Sequence, residues 1–311
     1  MSGLHESVLG YLELRRSLGF RLKKDEHLLR DFADFMKQRR ATHITAKLAV
    51  EWARRPASTD ANYHAGRLRA VRSFARHHIQ NDPKTEIPAA GLLPRQHSTF
   101  KPYIFSHEEI ERILADSLRP WGGATAFYCL GRYTIYGLLS VTGMRVSEAL
   151  NLDIGDVDLE EGVLTIRNTK FGKSRLVPVH PTTLAALKRY RQERDAFLAG
   201  RNVTAFFVST HGRRITIFAI DRAFWRLTHR LGLRSASGRV GPRLHDLRHT
   251  MAIEVLRRCY HAGDNPERRL PALSTYLGHS HLNFTYWYLH QNPGLMTEAM
   301  ERLQHRWEAP A

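Results

Sequence analysis

The sequence predicts a mainly α protein with a small β-hairpin or sheet, split into a helical N-terminal domain and a larger α+β C-terminal domain. Three observations predict it. Apolar residues recur at helical spacing through most of the 311 residues. Strand patterning with β-branched residues is confined to 163–167 and 175–179. Periodicity is lost between Asn81 and Pro102, where Pro83, Pro88, Pro94 and Gly91 gather as in an extended connector. A chain of this length also exceeds what one hydrophobic core comfortably supports. The expected boundaries are 1–87 for the helical domain, 88–101 for the linker, and 102–311 for the second domain with its C-terminal helix.

In the first domain Val8, Leu9, Leu12, Leu14 and Leu18 form one periodic set, and Leu28, Leu29, Phe32, Phe35 and Met36 another, with Gly19 between them. Thr45 is placed to cap a helix running from Ala46 to Trp52. A fourth helix, 62–79, turns Leu68, Val71, Phe74 and Ala75 inward and puts Arg67, Arg69, Arg72 and Arg76 on a basic outer face. In the second domain, Ser106 with Glu109 is a capping-box pattern opening a helix through Leu114, and 124–142 is a long apolar helical segment that turns at Gly143. The stretch 150–158 reads as a loop, and the two strands bracket a turn at 168–174. Helices follow over 181–198 and 217–231; Gly238, Gly241 and Pro242 break the chain before another starts near His245. From Leu273 to Trp307 the pattern is helical, interrupted at Asn292, Pro293 and Gly294. Its last part carries Leu295, Met296, Ala299, Met300 and Leu303 as an apolar stripe that needs covering.

Charge narrows the function classes. Forty-seven Lys and Arg face 30 Asp and Glu, a net charge of +17, with a sequence pI near 10.3; that balance points to a polyanion, with DNA the natural candidate. Arg outnumbers Lys, and its planar fork suits bidentate phosphate binding. The face formed by Arg67, Arg69, Arg72 and Arg76 is expected to follow a DNA backbone, as are Lys173 and Arg175 around the hairpin. No run of about 18 apolar residues is available to span a bilayer. The N-terminal sequence lacks a basic start followed by an apolar core, so a cytoplasmic, nucleoid-associated protein is expected. Cys129 and Cys259 stand alone, which excludes a disulfide framework and a multi-cysteine metal site.

Five short elements carry chemistry: Thr142 to Glu148 containing Arg145, Lys170 in the hairpin turn, His245-Asp246-Leu247-Arg248-His249, Leu277-Gly278-His279-Ser280, and Tyr288. Singly each is weak. In that order they resemble the tyrosine recombinase, or phage integrase, family, with the likeness covering about 101–292 and the helical N-terminal region similar in arrangement to that family's core-binding domain. The resemblance implies DNA cleavage and rejoining, for integration, excision or transposition, through a 3′-phosphotyrosyl intermediate. It assigns Arg145 and Arg248 to the scissile phosphate, Lys170 to the hairpin lysine, His245 and His279 to the two histidine positions, Tyr288 to the nucleophile and Glu148 to a buttress beneath the site. It also implies double-stranded DNA as partner, and a homo-oligomer that is a dimer on one site and a tetramer in synapsis, with the C-terminal helix docking on a neighbour or on its own domain.

The chemistry agrees with those positions. In-line attack on a phosphodiester concentrates negative charge on non-bridging oxygens, which two guanidiniums can hold without a metal. A phenol with an ordinary pKa near 10 needs nearby cations and a proton acceptor, for which His245 is the candidate. Lys170 can donate a proton to the departing 5′ oxygen, and His279 can hold the phosphate. Because the phosphotyrosine retains a phosphoester, rejoining needs neither ATP nor another cofactor. Gly172-Lys173-Ser174 lacks the upstream glycine of a phosphate-cradling loop. Asp246 and His249 read as structural.

The chain departs from the pattern at 259–271, which reads as a loop insertion, and Tyr286 is a second tyrosine on the far side of the helix from Tyr288. Three rivals are a zinc enzyme using His245 and His249, a non-catalytic DNA-binding protein, and a type I topoisomerase using the same tyrosine. The first lacks the glutamate that a zinc protease carries directly after its first histidine, and Arg248 would set a cation beside the metal.

Overall fold

The structure, a computed structural model, describes residues 3–20, 22–57, 60–95, 101–167, 174–235, 237, 241–262, 264–279, 281–291, 297, 300 and 304. The chain divides into two compact units, 1–100 and 101–311.

The first unit holds α1 (Gly3–Ser17), α2 (Lys23–Gln38), α3 (Ala46–Arg54) and α4 (Ala61–His78). Thr45 caps α3 by accepting from the Leu48 N–H, as its position predicts. Helix α4 packs on the other three, burying Leu12, Leu29, Phe32, Trp52 and Phe74 in one core. The expected basic face of α4 needs correcting. Arg67 turns inward, 6% exposed; its guanidinium lies 3.8 Å over the Trp52 ring and donates to Asp31 at 2.9 Å. The indole N–H of Trp52 shares that carboxylate. Cation–π attraction and the ion pair together make Arg67 part of the core. Arg69 and Arg76 remain exposed, and Arg72 is half-buried with Nε on the Pro88 carbonyl.

The second unit is built around α6 (Ala126–Thr142), whose buried residues include Ile135, Tyr136, Leu138 and Leu139. On it pack α5 (His107–Ser117), α7 (Val146–Leu150), α8 (Pro181–Leu198) and α10 (Leu244–His261), while α9 (Ile217–Arg230) packs on α5 and α7. Ser106 and Glu109 form the predicted reciprocal capping box of α5. Three antiparallel strands run in the order β1 (Val157–Asp158), β2 (Val163–Ile166), β3 (Arg175–Pro178), with Ile166 opposite Arg175. The stretch 150–158 is therefore more than a loop: a 3-10 turn at Ile154–Asp156 leads into β1.

The expected loop insertion at 259–271 is corrected as well. Helix α10 continues to His261, and α11 (Pro266–Leu277) carries Pro271 inside it. Leu270, Leu273 and Leu277 recur at helical spacing and bury against Ala252, Ile253 and Leu256 of α10, outweighing the interior proline. Helix α12 (Asn283–Gln291) closes the same cluster with Tyr288. The apolar stripe expected over 295–303 lies outside the described residues apart from Met300. No helix of the described residues is long and apolar enough to cross a membrane.

Candidate active site

Arg145 precedes α7, and its side chain is fixed at both ends of the guanidinium: Nη1 donates to Glu148 Oε1 at 2.7 Å, Nη2 to the Gly278 carbonyl at 3.1 Å. Glu148, 7% exposed, also accepts from the Arg145 backbone N–H at 2.9 Å. Its other face is taken by Arg175 of β3, through Nη2 at 2.7 Å and Nη1 at 3.2 Å. Burial works to raise the Glu148 pKa, but Arg175 and Arg145 outweigh it and hold the carboxyl below its ordinary range. The buttress therefore supports two arginines.

Arg175 is expected from sequence to touch DNA, and the structure corrects this. Its side chain is 11% exposed, with Nε on the Tyr276 carbonyl at 2.9 Å as well as the Glu148 pair. Strand alternation explains it, since Arg175 shares the face of buried Val177 while Leu176 points out. Gly278 fits tightly beneath: φ is +69°, and an added Cβ would stand 2.7 Å from Arg175 Nη1. Gly143, with φ +59°, is equally constrained, because a Cβ would meet Leu277 and Met251 at 3.0 Å.

Arg248 projects from the second turn of α10 and is 2% exposed. It donates through Nη1 to the Gly143 carbonyl at 2.7 Å and through Nη2 to the Leu277 carbonyl at 2.8 Å. One guanidinium thus ties the turn after α6 to the end of α11. Burial pushes its pKa down to about 10, aided by Arg145 and Arg175 and opposed by Tyr288 and Glu148; it remains a cation at neutral pH.

The phenol of Tyr288, also 2% exposed, lies buried beside the Arg248 guanidinium, whose charge favours the phenolate. Burial raises its pKa, and Arg248 and Arg145 pull the other way without prevailing. Two histidine rings flank it, and a third lies behind one of them. The His249 ring lies 5.5 Å from the Tyr288 ring and 4.8 Å from that of His245. His279 stacks at 6.2 Å from Tyr288, with its Nδ1 2.8 Å from the Thr285 hydroxyl. Burial, then neighbouring cations, depress all three: His249 to about 3, His279 to about 4, and His245 below its ordinary value. The site is thus a cationic pocket whose fixed positive charge is arginine, its imidazoles being neutral at neutral pH.

Of the residues singled out from sequence, the structure brings together Arg145, Glu148, His245, Arg248, His279 and Tyr288, from α7, α10, the turn after α11, and α12. Lys170 and Lys173 lie outside the described residues. Tyr286 is exposed on the opposite side of α12 from Tyr288. Among the described residues no three His, Cys, Asp or Glu side chains converge as a metal-binding group. Asp246 receives the Arg243 backbone N–H at the start of α10, in keeping with a structural reading. Sequence reasoning missed the inward side of Arg175, for which strand alternation was a signal, and Thr285, for which there was none.

Residues 104–294 match the phage integrase family. A Sinorhizobium fredii protein named as an integrase/recombinase, y4rB, is 46% identical over 99% of both chains, and the tyrosine recombinase XerD of Neisseria meningitidis serogroup B is 30% identical over 74% of each. In fold, the chain is similar to the Tn1549 transposon integrase solved with transposon right-end DNA, at TM-score 0.68 and 19% identity over 96% of this chain and 98% of that one. Fold and relatives together define a class, the DNA-binding enzymes that cut and rejoin DNA strands. The chain belongs to the phage integrase family and is a tyrosine recombinase.

Proposed function

We propose that Arg145 and Arg248 clamp the scissile phosphate of double-stranded DNA, that Tyr288 attacks it to form the 3′-phosphotyrosyl bond, and that Lys170 protonates the departing 5′ oxygen. The observation that carries this reading is the Tyr288 phenol buried beside the Arg248 guanidinium, with the charge of Arg145 acting on both groups. A guanidinium has five N–H donors, and Arg145 commits two of them to Glu148 and Gly278, keeping others for a phosphate. Each arginine is worth about 3 kcal/mol of transition-state stabilisation, on the order of a hundredfold in rate. A bound phosphate brings negative charge that holds the phenol proton more tightly, so a base must take it, and His245, its pKa lowered by burial and by Arg248, serves as that base. Neutral His279 holds the phosphate.

The working unit is a dimer on each DNA site and a tetramer in synapsis, and the process served is movement of a mobile element, in line with the integrase names of its relatives. A nicked suicide substrate tests the chemistry, because loss of the short 5′ fragment traps the covalent complex. Adduct should form with the unaltered protein and with Tyr286→Phe, and vanish with Tyr288→Phe. Adduct retained in Tyr288→Phe overturns the assignment.

A further inference from the structure

Four buried threonines of this unit send their hydroxyl protons to the carbonyl four residues back on their own helices: Thr134 to Leu130, Thr142 to Leu138, Thr228 to Phe224 and Thr250 to Asp246. Thr285, on α12 three residues before Tyr288, behaves differently. It is fully buried, and its hydroxyl has one polar partner among the described residues, His279 Nδ1 at 2.8 Å. No backbone carbonyl takes its proton.

That fixes the direction of the bond. If Nδ1 carried the hydrogen and donated to Thr285, the threonine hydroxyl proton would be buried with no acceptor, a penalty that disfavours the arrangement roughly tenfold to a hundredfold. If Thr285 donates, every buried group is satisfied. A neutral imidazole then carries its single hydrogen on Nε2, and His279 is neutral, held at about 4 by burial and by Arg248, Arg145 and Arg175. Nε2 has no partner among the described residues.

We propose that Thr285 is a positioning residue that locks His279 in the Nε2–H tautomer, so that the ring offers the scissile phosphate an uncharged hydrogen-bond donor. The proposal rests on the assignment of His279 to the phosphate made above. Its physical sense lies in the neighbours: three arginines already crowd the pocket, and a fourth cation would be repelled where a neutral N–H is not. Without the lock, a neutral ring divides its time between a donor and an acceptor facing a phosphate oxygen, and the acceptor form is repelled.

The test compares Thr285→Val, which keeps shape and removes the hydroxyl, with Thr285→Ser, which keeps the hydroxyl. Nitrogen-15 spectra of the imidazole in the full-length protein should show Nε2–H in the unaltered protein and in Thr285→Ser, and a tautomer mixture in Thr285→Val. Single-turnover cleavage of the nicked substrate should fall about tenfold in Thr285→Val, stay within about threefold in Thr285→Ser, and fall no further when Thr285→Val is added to His279→Ala. An Nδ1–H ring in the unaltered protein overturns the proposal, as does a Thr285→Val defect that persists undiminished in the His279→Ala background. Failure of the underlying reading looks different: His279→Ala alone would leave cleavage unchanged, while the spectra would still decide the tautomer.

Discussion

Glu148→Gln removes one negative charge from beneath two arginines and changes almost nothing else in shape. Arg175 is 11% exposed and holds both carboxylate oxygens, so its charge has no adequate solvent substitute; Arg145 is half-buried and counts for less. Breaking a buried pair by deleting one partner costs about 3–5 kcal/mol, and discounting the Arg145 share sets the expectation near 3 kcal/mol. With a urea slope of about 2 kcal/mol per molar, the unfolding midpoint of the full chain should fall by about 1.5 M. The pH dependence has a definite sign. The folded-state pKa of Glu148 is depressed, so its stabilisation is complete above the ordinary carboxylate range and lost as pH falls through the depressed value. The gap between the unaltered protein and Glu148→Gln should therefore close in acid. Pairing Glu148→Gln with Arg175→Met removes both charges, and the double variant should lose about 2 kcal/mol less than the sum of the singles. Urea titrations followed by tryptophan fluorescence and circular dichroism measure all of this. A midpoint shift under about 0.3 M for Glu148→Gln at neutral pH, or strict additivity with Arg175→Met, refutes the reasoning.

Gly278→Ala should destabilise the protein by about 2 kcal/mol and slow cleavage, because a left-handed alanine costs on the order of 1–2 kcal/mol and its Cβ would strike Arg175; a thermal melt identical to the unaltered protein would contradict this. His249 and His279 titrate in the folded protein at about 3 and about 4, against roughly 6.5 in an unfolded chain. The unfolded chain therefore takes up protons first, and stability should decline from pH 6.5 toward pH 4, a slope that His249→Phe should reduce; a midpoint flat across that window would show the rings are not buried neutral. Arg69→Ala and Arg76→Ala should weaken DNA binding across sequences and each flatten the slope of log K against log salt by about 0.9. Arg67→Ala should instead lower the melting temperature, and equal salt slopes in all three variants would rule out the distinction drawn from their burial.

The legible part of the fold was the part written in local chemistry. Thr45, the Ser106–Glu109 pair and Pro181 at a first helical turn each satisfy or spare backbone N–H groups within a few residues, so helix starts could be read directly. What failed was decided at a distance. Strand β1 is two residues long and exists because β2 pairs with it, leaving no periodicity to detect. In α11 Pro271 argues against a helix locally, and the leucines meeting α10 decide otherwise. Arg67 sits where helical spacing allows an outward charge, but Trp52 and Asp31, on other helices, pull it in. The ordered cationic and histidine positions of the site were visible as motifs; the sharing of Glu148 between Arg145 and Arg175 was not, because it depends on which face of β3 meets α7.

The two proposed phosphate-binding arginines are anchored on backbone carbonyls far away in sequence: Arg248 on residues 105 and 29 positions distant, Arg145 on one 133 positions distant. Main-chain oxygens cannot be deleted by substitution, yet they occupy these places only when α6, α10 and α11 have packed together. A polypeptide still emerging from the ribosome, or one opened by heat or truncated before α11, has its arginines but no scaffold to aim them. The aim of both arginines is therefore a property of the tertiary fold and not of any one helix.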